Sequence, residues 1–381
     1  MSLIFRFVPR LKAISCEKYT HLAGLFISPP RRKNAYIAQL CAHFSTLRIN
    51  KNPAPFGHIY SLPSPKNLIV FEFLWVLALL MSACTPVMRG PGPAVGAGHL
   101  TDNAFVASDG TELKMSRWPV NQPKAVVIAL HGFNDYRRFF TSTAEFLQQQ
   151  GIVSYAYDQR GFGESPNTGL WAGSDAYAAD LTQFTALIQQ RHLGIPVYLL
   201  GESMGGAIII DTMTRSEKPD VAGIILAAPA VWGRETMPWY QTSLLWALSH
   251  TLPWLTLTGR GLEIMPSDNI EMLRALGRDP LVIKETRVDA IYGLTNLMDS
   301  ALQAAEKLNA ETLLLYGEKD EVVPAEPTMQ FVQGLLAHSP ENKTVAYYQN
   351  GYHMLLRDLQ APVIWRDVAD WINKTLPQRA G

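Results

Sequence analysis

Five short, almost unbroken apolar runs constrain this chain more than any other feature: Ala125–Leu130, Ile152–Tyr157, Pro196–Leu200, Gly223–Ala228 and Thr312–Tyr316. A strand with one wet face alternates apolar and polar residues, whereas a strand covered on both faces reads as a continuous apolar stretch. A sixth run, Thr344–Tyr348, is less pure. Between the runs lie helical stretches at Ser142–Gln150, Ala176–Gln190 and Met204–Thr214, and Pro362–Thr375 closes the chain. Strands alternating with helices predict an α/β fold, a mostly parallel sheet with helices on both faces. In such sheets, chemistry gathers beyond the carboxyl ends of the strands.

One stretch breaks the alternation. Residues 232–307 separate two strand runs and are far too many for a loop. They include Trp232, Trp239, Trp246 and Trp254, with helix-like segments near Ser243–Ser249, Ser267–Leu276 and Val288–Leu302. This predicts an inserted helical cap whose tryptophans pack its own core, and whose apolar character suits an apolar substrate.

Gly201-Glu202-Ser203-Met204-Gly205 follows one apolar run and precedes Ala207–Ile210. Gly-x-Ser-x-Gly between strand and helix is the signature of a sharp, strained turn that pushes the serine hydroxyl outward. The helix N-terminus behind it favours developing negative charge. A nucleophilic serine needs a base, and the base an orienting acid. Of the histidines after residue 84, His99 lies in a Gly/Pro-rich stretch, His192 and His338 in polar connections, and His250 in the cap. His131 ends a strand run and is expected to pack. His353, after a late strand and the turn Asn350-Gly351, stands in the right order for the base. The acid is expected in Gly317-Glu318-Lys319-Asp320, at Asp320, with Glu318 and Glu321 close by. The oxyanion donors are expected at the backbone N–H groups of Met204 and Phe133. Asp158, in Asp158–Gly163, is expected to make local hydrogen bonds.

His131-Gly132, Asp158–Ser165, Gly201–Gly206, Gly317–Asp320 and Gly351–His353 together resemble the α/β-hydrolase superfamily, and more closely its monoacylglycerol lipase, lysophospholipase and serine-aminopeptidase-like group. The likeness runs from about residue 104 to 376 and includes Ser267-Asp268-Asn269 and Asp279-Pro280. It implies Ser203 as nucleophile, Asp320 as acid, His353 as base, and Phe133 and Met204 as oxyanion donors. It implies no cofactor. Two departures bear on substrate: Glu202 stands where those lipases usually carry His, and Phe133-Asn134 where they carry a small residue and Gly. The expected activity is hydrolysis of carboxylic esters of lipid-like type through an acyl-enzyme. A peptidase or amidase on the same residues is the alternative, as is a membrane-tethered binding protein without turnover.

Charge and cysteine divide the chain near residue 84. Residues 1–84 carry ten Lys/Arg against two acids, and the rest 23 against 31. The acidic body makes a nucleic-acid partner unexpected. All three cysteines, Cys16, Cys41 and Cys84, lie in the first part, so the body forms no internal disulfide and no Cys/His metal site. Cys84 ends an apolar run, residues 68–83, of signal-peptide length, after Met81-Ser82-Ala83. This resembles the bacterial lipobox, in which the cysteine is acylated and anchors the protein. The expected organisation is therefore a basic extension and signal over 1–83, and a lipidated Cys84 with a Gly/Pro tether over 84–104. An α/β-hydrolase domain over 105–381, capped at 232–307, completes it. As a flexible coil the tether would reach roughly 25 Å. Thr85 after the cysteine points, in that resembled Gram-negative system, to the outer membrane of the cell envelope.

Overall fold

The computed structural model describes residues 85–259, 261 and 263–376. The expected signal segment and Cys84 lie outside them. Among the described residues no helix is long and apolar enough to cross a membrane.

The chain enters the sheet through three strands, β1 (His99–Leu100), β2 (Ala104–Val106) and β3 (Glu112–Trp118), all paired antiparallel. The apolar runs follow as β4 (Ala125–Leu130), β5 (Ile152–Tyr157), β6 (Val197–Glu202) and β7 (Gly223–Ala227). Every residue of these four strands is buried, which is why their sequences show no alternation. Helices α1 (Thr141–Gln149), α2 (Ser174–Arg191) and α3 (Met204–Met213) connect them. The insertion then supplies α4 (Trp239–Thr251), β8 (Thr256–Thr258), α5 (Ile270–Arg278), β9 (Glu285–Arg287) and α6 (Val288–Gln303). The chain closes with β10 (Thr312–Gly317), α7 (Ala325–Ala337), β11 (Lys343–Tyr348) and α8 (Ala361–Thr375).

The nine-stranded sheet has the order β1-β2-β3-β5-β4-β6-β7-β10-β11, parallel from β5 to β11. β6 is central, and its end is in register with Leu130 on one side and Ala227 on the other. One apolar cluster fills the side of α2, α3 and α6, and a second fills the side of α1 and α8.

Three expectations need correction. Residues 85–103 are not a free tether. Arg89 N donates to Trp171 O (2.8 Å), Val95 N to Ser108 O (2.8 Å), and Gly92 N to Asp109 Oδ2 (3.0 Å), and β1 joins the sheet. The Gly/Pro composition signalled irregular backbone; its amides find acceptors on the body. The cap is also shorter than residues 232–307. Its last helix, α6, buries Leu294, Leu297, Met298 and Ala301 on one face and packs there on α3 as part of the sheet-covering layer. Finally, the cap tryptophans are not mainly core. Trp232 is buried, but Trp239, Trp246 and Trp254 are 78%, 58% and 57% exposed.

Candidate active site

Ser203 sits between β6 and α3 with φ 53° and ψ −114°, a conformation unfavourable for any residue with a side chain. The strain is held by three backbone bonds: Ser203 N to Ala227 O (3.0 Å), and Ser203 O from Ala207 N (3.1 Å) and Ala230 N (2.9 Å). The glycines around it answer a need for close approach. A Cβ on Gly205 would stand 2.2 Å from Leu130 O, and one on Gly201 would stand 2.4 Å from Gly205 C. Gly132 brings its own loop to the serine, since a Cβ there would lie 3.4 Å from Ser203 Cβ.

β10 and β11 carry the other partners. After β10, Asp320 Oδ1 accepts from Val322 N (2.8 Å) and Val323 N (2.9 Å), which fixes the carboxylate. Its Oδ2 lies 2.8 Å from His353 Nδ1. Both side chains are buried. Glu321, the neighbour that sequence left open, accepts from Met265 N in the cap instead. Burial pulls the His353 pKa down, but the Asp320 carboxylate and Glu202 outweigh it, and the net shift is upward. With Nδ1 facing Asp320, Nε2 is the nitrogen left for proton exchange.

Ser203, His353, Phe133 and Glu202 line one cavity of about 180 Å³, whose apolar wall includes Leu294, Met298 and Val323. Among the described residues, neither Phe133 N nor Met204 N has a protein acceptor. Two backbone N–H groups left free beside the serine are the kind of donor a developing oxyanion requires. The Phe133 side chain, itself part of the cavity lining, packs edge-on to Phe162 and Trp171, which fixes its ring.

The remaining residues singled out by sequence are structural. His131 is fully buried and uses both ring nitrogens, Nε2 accepting from Gln159 N (3.0 Å) and Nδ1 facing Gly132 O (2.8 Å). Burial lowers its pKa, and a ring whose Nε2 accepts a hydrogen bond is in its neutral form. Asp158 accepts from Arg137 N (2.9 Å) and Glu164 N (2.9 Å) and pairs with the Arg137 guanidinium. His192, in its polar connection, is half-buried and lies 2.8 Å from Tyr155 Oη.

Ser267-Asp268-Asn269 and Asp279 fasten the cap. Ser267 Oγ donates to Asp358 (2.6 Å), Leu359 N to Asp268 (2.9 Å), and Asn269 Nδ2 to Arg357 O (2.9 Å), all beside the His353 loop. Tyr136 Oη donates to Asp279 (2.6 Å), and Asn134 Nδ2 to Thr286 (2.7 Å), which ties the Phe133 loop to the cap. Sequence reasoning missed the partner of Glu202. Its Oε1 accepts from Arg357 Nη2 (2.6 Å), while Arg357 Nη1 holds Asp135 (2.7 Å). A carboxylate at the end of a wholly buried strand was the available signal, because a buried charge calls for a counter-ion.

The family described as "Serine aminopeptidase, S33" (Hydrolase_4) matches residues 121–360. Human monoglyceride lipase is 28% identical over 281 residues, which are 72% of this chain and 90% of that protein. Phospholipase YtpA of Bacillus subtilis is 24% identical over 247 residues, 64% of this chain and 93% of that one. A solved structure of a soluble variant of monoglyceride lipase from Saccharomyces cerevisiae, in complex with a substrate analog, superposes with a TM-score of 0.61. It is 18% identical and covers 77% of this chain and 99% of its own. The shared architecture is the α/β-hydrolase fold.

Proposed function

Because the chain belongs to the Hydrolase_4 family of α/β-hydrolases, we propose that this hydrolase is a serine carboxylester hydrolase of lipid-like substrates, of the monoacylglycerol or lysophospholipid type. The observation that carries the reading is the meeting of Ser203, on its strained turn, and the His353–Asp320 pair at one apolar-walled cavity. Relatives named for monoglyceride and phospholipid hydrolysis support the substrate class. So do the outward-facing Trp239, Trp246 and Trp254 on the cap, since tryptophan suits the boundary between lipid and water.

Ser203 Oγ attacks the ester carbonyl while His353 Nε2 takes its proton. Asp320 holds the imidazole in orientation and stabilises the imidazolium. The new oxyanion lies against Phe133 N–H and Met204 N–H, with the N-terminus of α3 adding favourable field. Collapse breaks the bond to the alcohol, which leaves with the proton from His353. Water, deprotonated by the same histidine, then releases the acid and restores Ser203. The chain's own groups supply every proton transfer.

A second reading is a peptidase or amidase, which the description of the matching family favours. Purified protein assayed on p-nitrophenyl esters, monoacylglycerol, lysophospholipid and aminoacyl amides separates the two. Turnover of the lipid esters, lost in Ser203→Ala, supports the first. Turnover confined to amides supports the second, and no turnover with no labelling by a fluorophosphonate leaves the fold as a binding protein. We also propose Cys84 as a lipid anchor that holds the body at the membrane of the bacterial envelope.

A further inference from the structure

We propose that Arg357 is a positioning residue that locks the oxyanion loop, the nucleophile turn and the base loop into one register; the inference rests on the serine-hydrolase reading. Its two terminal nitrogens reach two carboxylates, Asp135 at 2.7 Å and Glu202 at 2.6 Å, and all three side chains are at most a tenth exposed. Each partner belongs to a different part of the machinery. Asp135 is two residues beyond Phe133, and Asp135 N donates to Gly132 O (3.3 Å). Glu202 directly precedes Ser203. Arg357 follows His353 by one closed turn, in which Arg357 N and Asp358 N both donate to Met354 O (2.8 and 3.0 Å). Asp358 stiffens that turn by accepting from Tyr352 N, next to His353, at 2.8 Å.

Stability alone gives no good reason for this cluster. Desolvating three charges is costly, and a well-packed apolar trio of similar volume is often as stable or more so. What the ion triad adds is directional: two hydrogen bonds donated from a single planar group, one to each carboxylate, which fix segments far apart in the chain. Asp135 and Arg357 also form the partition between the Ser203 cavity and a larger cleft of about 510 Å³ beneath the cap. A partition role and a positioning role make different kinetic predictions.

The test uses the full chain and compares wild type with Arg357→Met, Arg357→Lys, Glu202→Gln and Asp135→Asn. Readouts are the fluorophosphonate labelling rate, kcat and KM on a p-nitrophenyl ester, and thermal unfolding. Misplacing catalytic groups by about 1 Å costs on the order of 100-fold. Arg357→Met is expected to lose about that much in kcat and in labelling rate with KM nearly constant, and Arg357→Lys to recover part of it. Folded Arg357→Met with wild-type kcat and labelling overturns the proposal, as does a change confined to KM, which marks a partition only. If Arg357→Met does not fold, the near-isosteric Glu202→Gln and Asp135→Asn decide. A fall of about 10-fold or more in kcat in either supports the proposal, and wild-type kcat in both overturns it. Wild-type protein that takes no label removes the serine-hydrolase reading and this proposal with it; labelled wild type beside unaffected variants removes the positioning role alone.

Discussion

His353 Nδ1 lies 2.8 Å from one oxygen of Asp320, whose other oxygen is gripped by the backbone of Val322 and Val323. The acid is thus fixed by its own turn before it orients the imidazole, and an amide in its place would present the wrong tautomer-setting group. Asp320→Asn is expected to keep the fold and lower kcat by about 10,000-fold. Ser203→Ala is expected to abolish fluorophosphonate labelling. Stopped assays on p-nitrophenyl esters and gel-based labelling check both, and a label that persists in Ser203→Ala moves the nucleophile elsewhere.

The upward shift of His353 sets the pH dependence. Catalysis needs the neutral imidazole, so kcat/KM rises as pH climbs through the folded-state pKa, which lies above the ordinary value of about 6.5. Glu202 contributes to that shift by favouring the imidazolium. Removing its charge in Glu202→Gln therefore moves the acidic limb to lower pH. The stability contribution has the matching sign: it is present below the unfolded pKa and is lost as pH rises through the folded one. A pH–rate profile of the two proteins reads the shift, and an unmoved or upward limb in Glu202→Gln contradicts it.

The wall of Leu294, Met298 and Val323 beside Ser203 predicts selection by chain length. Each buried methylene is worth roughly 0.8 kcal/mol, or about fourfold in kcat/KM. Across acetyl to decanoyl p-nitrophenyl esters kcat/KM is expected to climb steeply and level off once the cavity is full. A flat series, or one that peaks at acetyl, rejects the lipid-like substrate.

For the anchor, wild-type protein expressed with its own N-terminal segment in a Gram-negative host is expected to incorporate labelled palmitate and to sediment with membranes. Cys84→Ser is expected to incorporate none. Soluble, unlabelled wild type refutes the anchor and leaves the catalytic reading untouched.

Strands buried on both faces were legible because nothing but apolar residues survives there; β4 runs over Ala125–Leu130, as its residues alone predict. Strand β3 was not, although Leu113 and Met115 alternate with more exposed neighbours, because a half-exposed strand with charged residues in it gives a weaker signal than a core strand. Helix α7 escaped notice between two stretches read for their chemistry. At the site, the order Ser203, Asp320, His353 was readable since each follows a strand end. Arg357 was not, because its meaning depends on Asp135 and Glu202 folding against it from remote parts of the sequence. The cap tryptophans misled for a related reason: hydrophobicity tells that a residue resists water, and says nothing of whether protein or another apolar phase will cover it.

Strands β7 and β10 are direct neighbours, with Ile224 beside Thr312, yet the whole insertion lies between them. The entropy of closing so long an excursion grows only as the logarithm of its length, so doubling it costs about 0.6 kcal/mol. The sheet that carries Ser203, Asp320 and His353 is therefore nearly indifferent to how much chain passes through the gap. Insertions and deletions in the roof can be tried at little thermodynamic expense, provided the fastenings at Ser267, Asp279 and Thr286 are respected. What the roof adds above the cavity is consequently free to vary, while the reactive centre and the α6 wall beside it stay put.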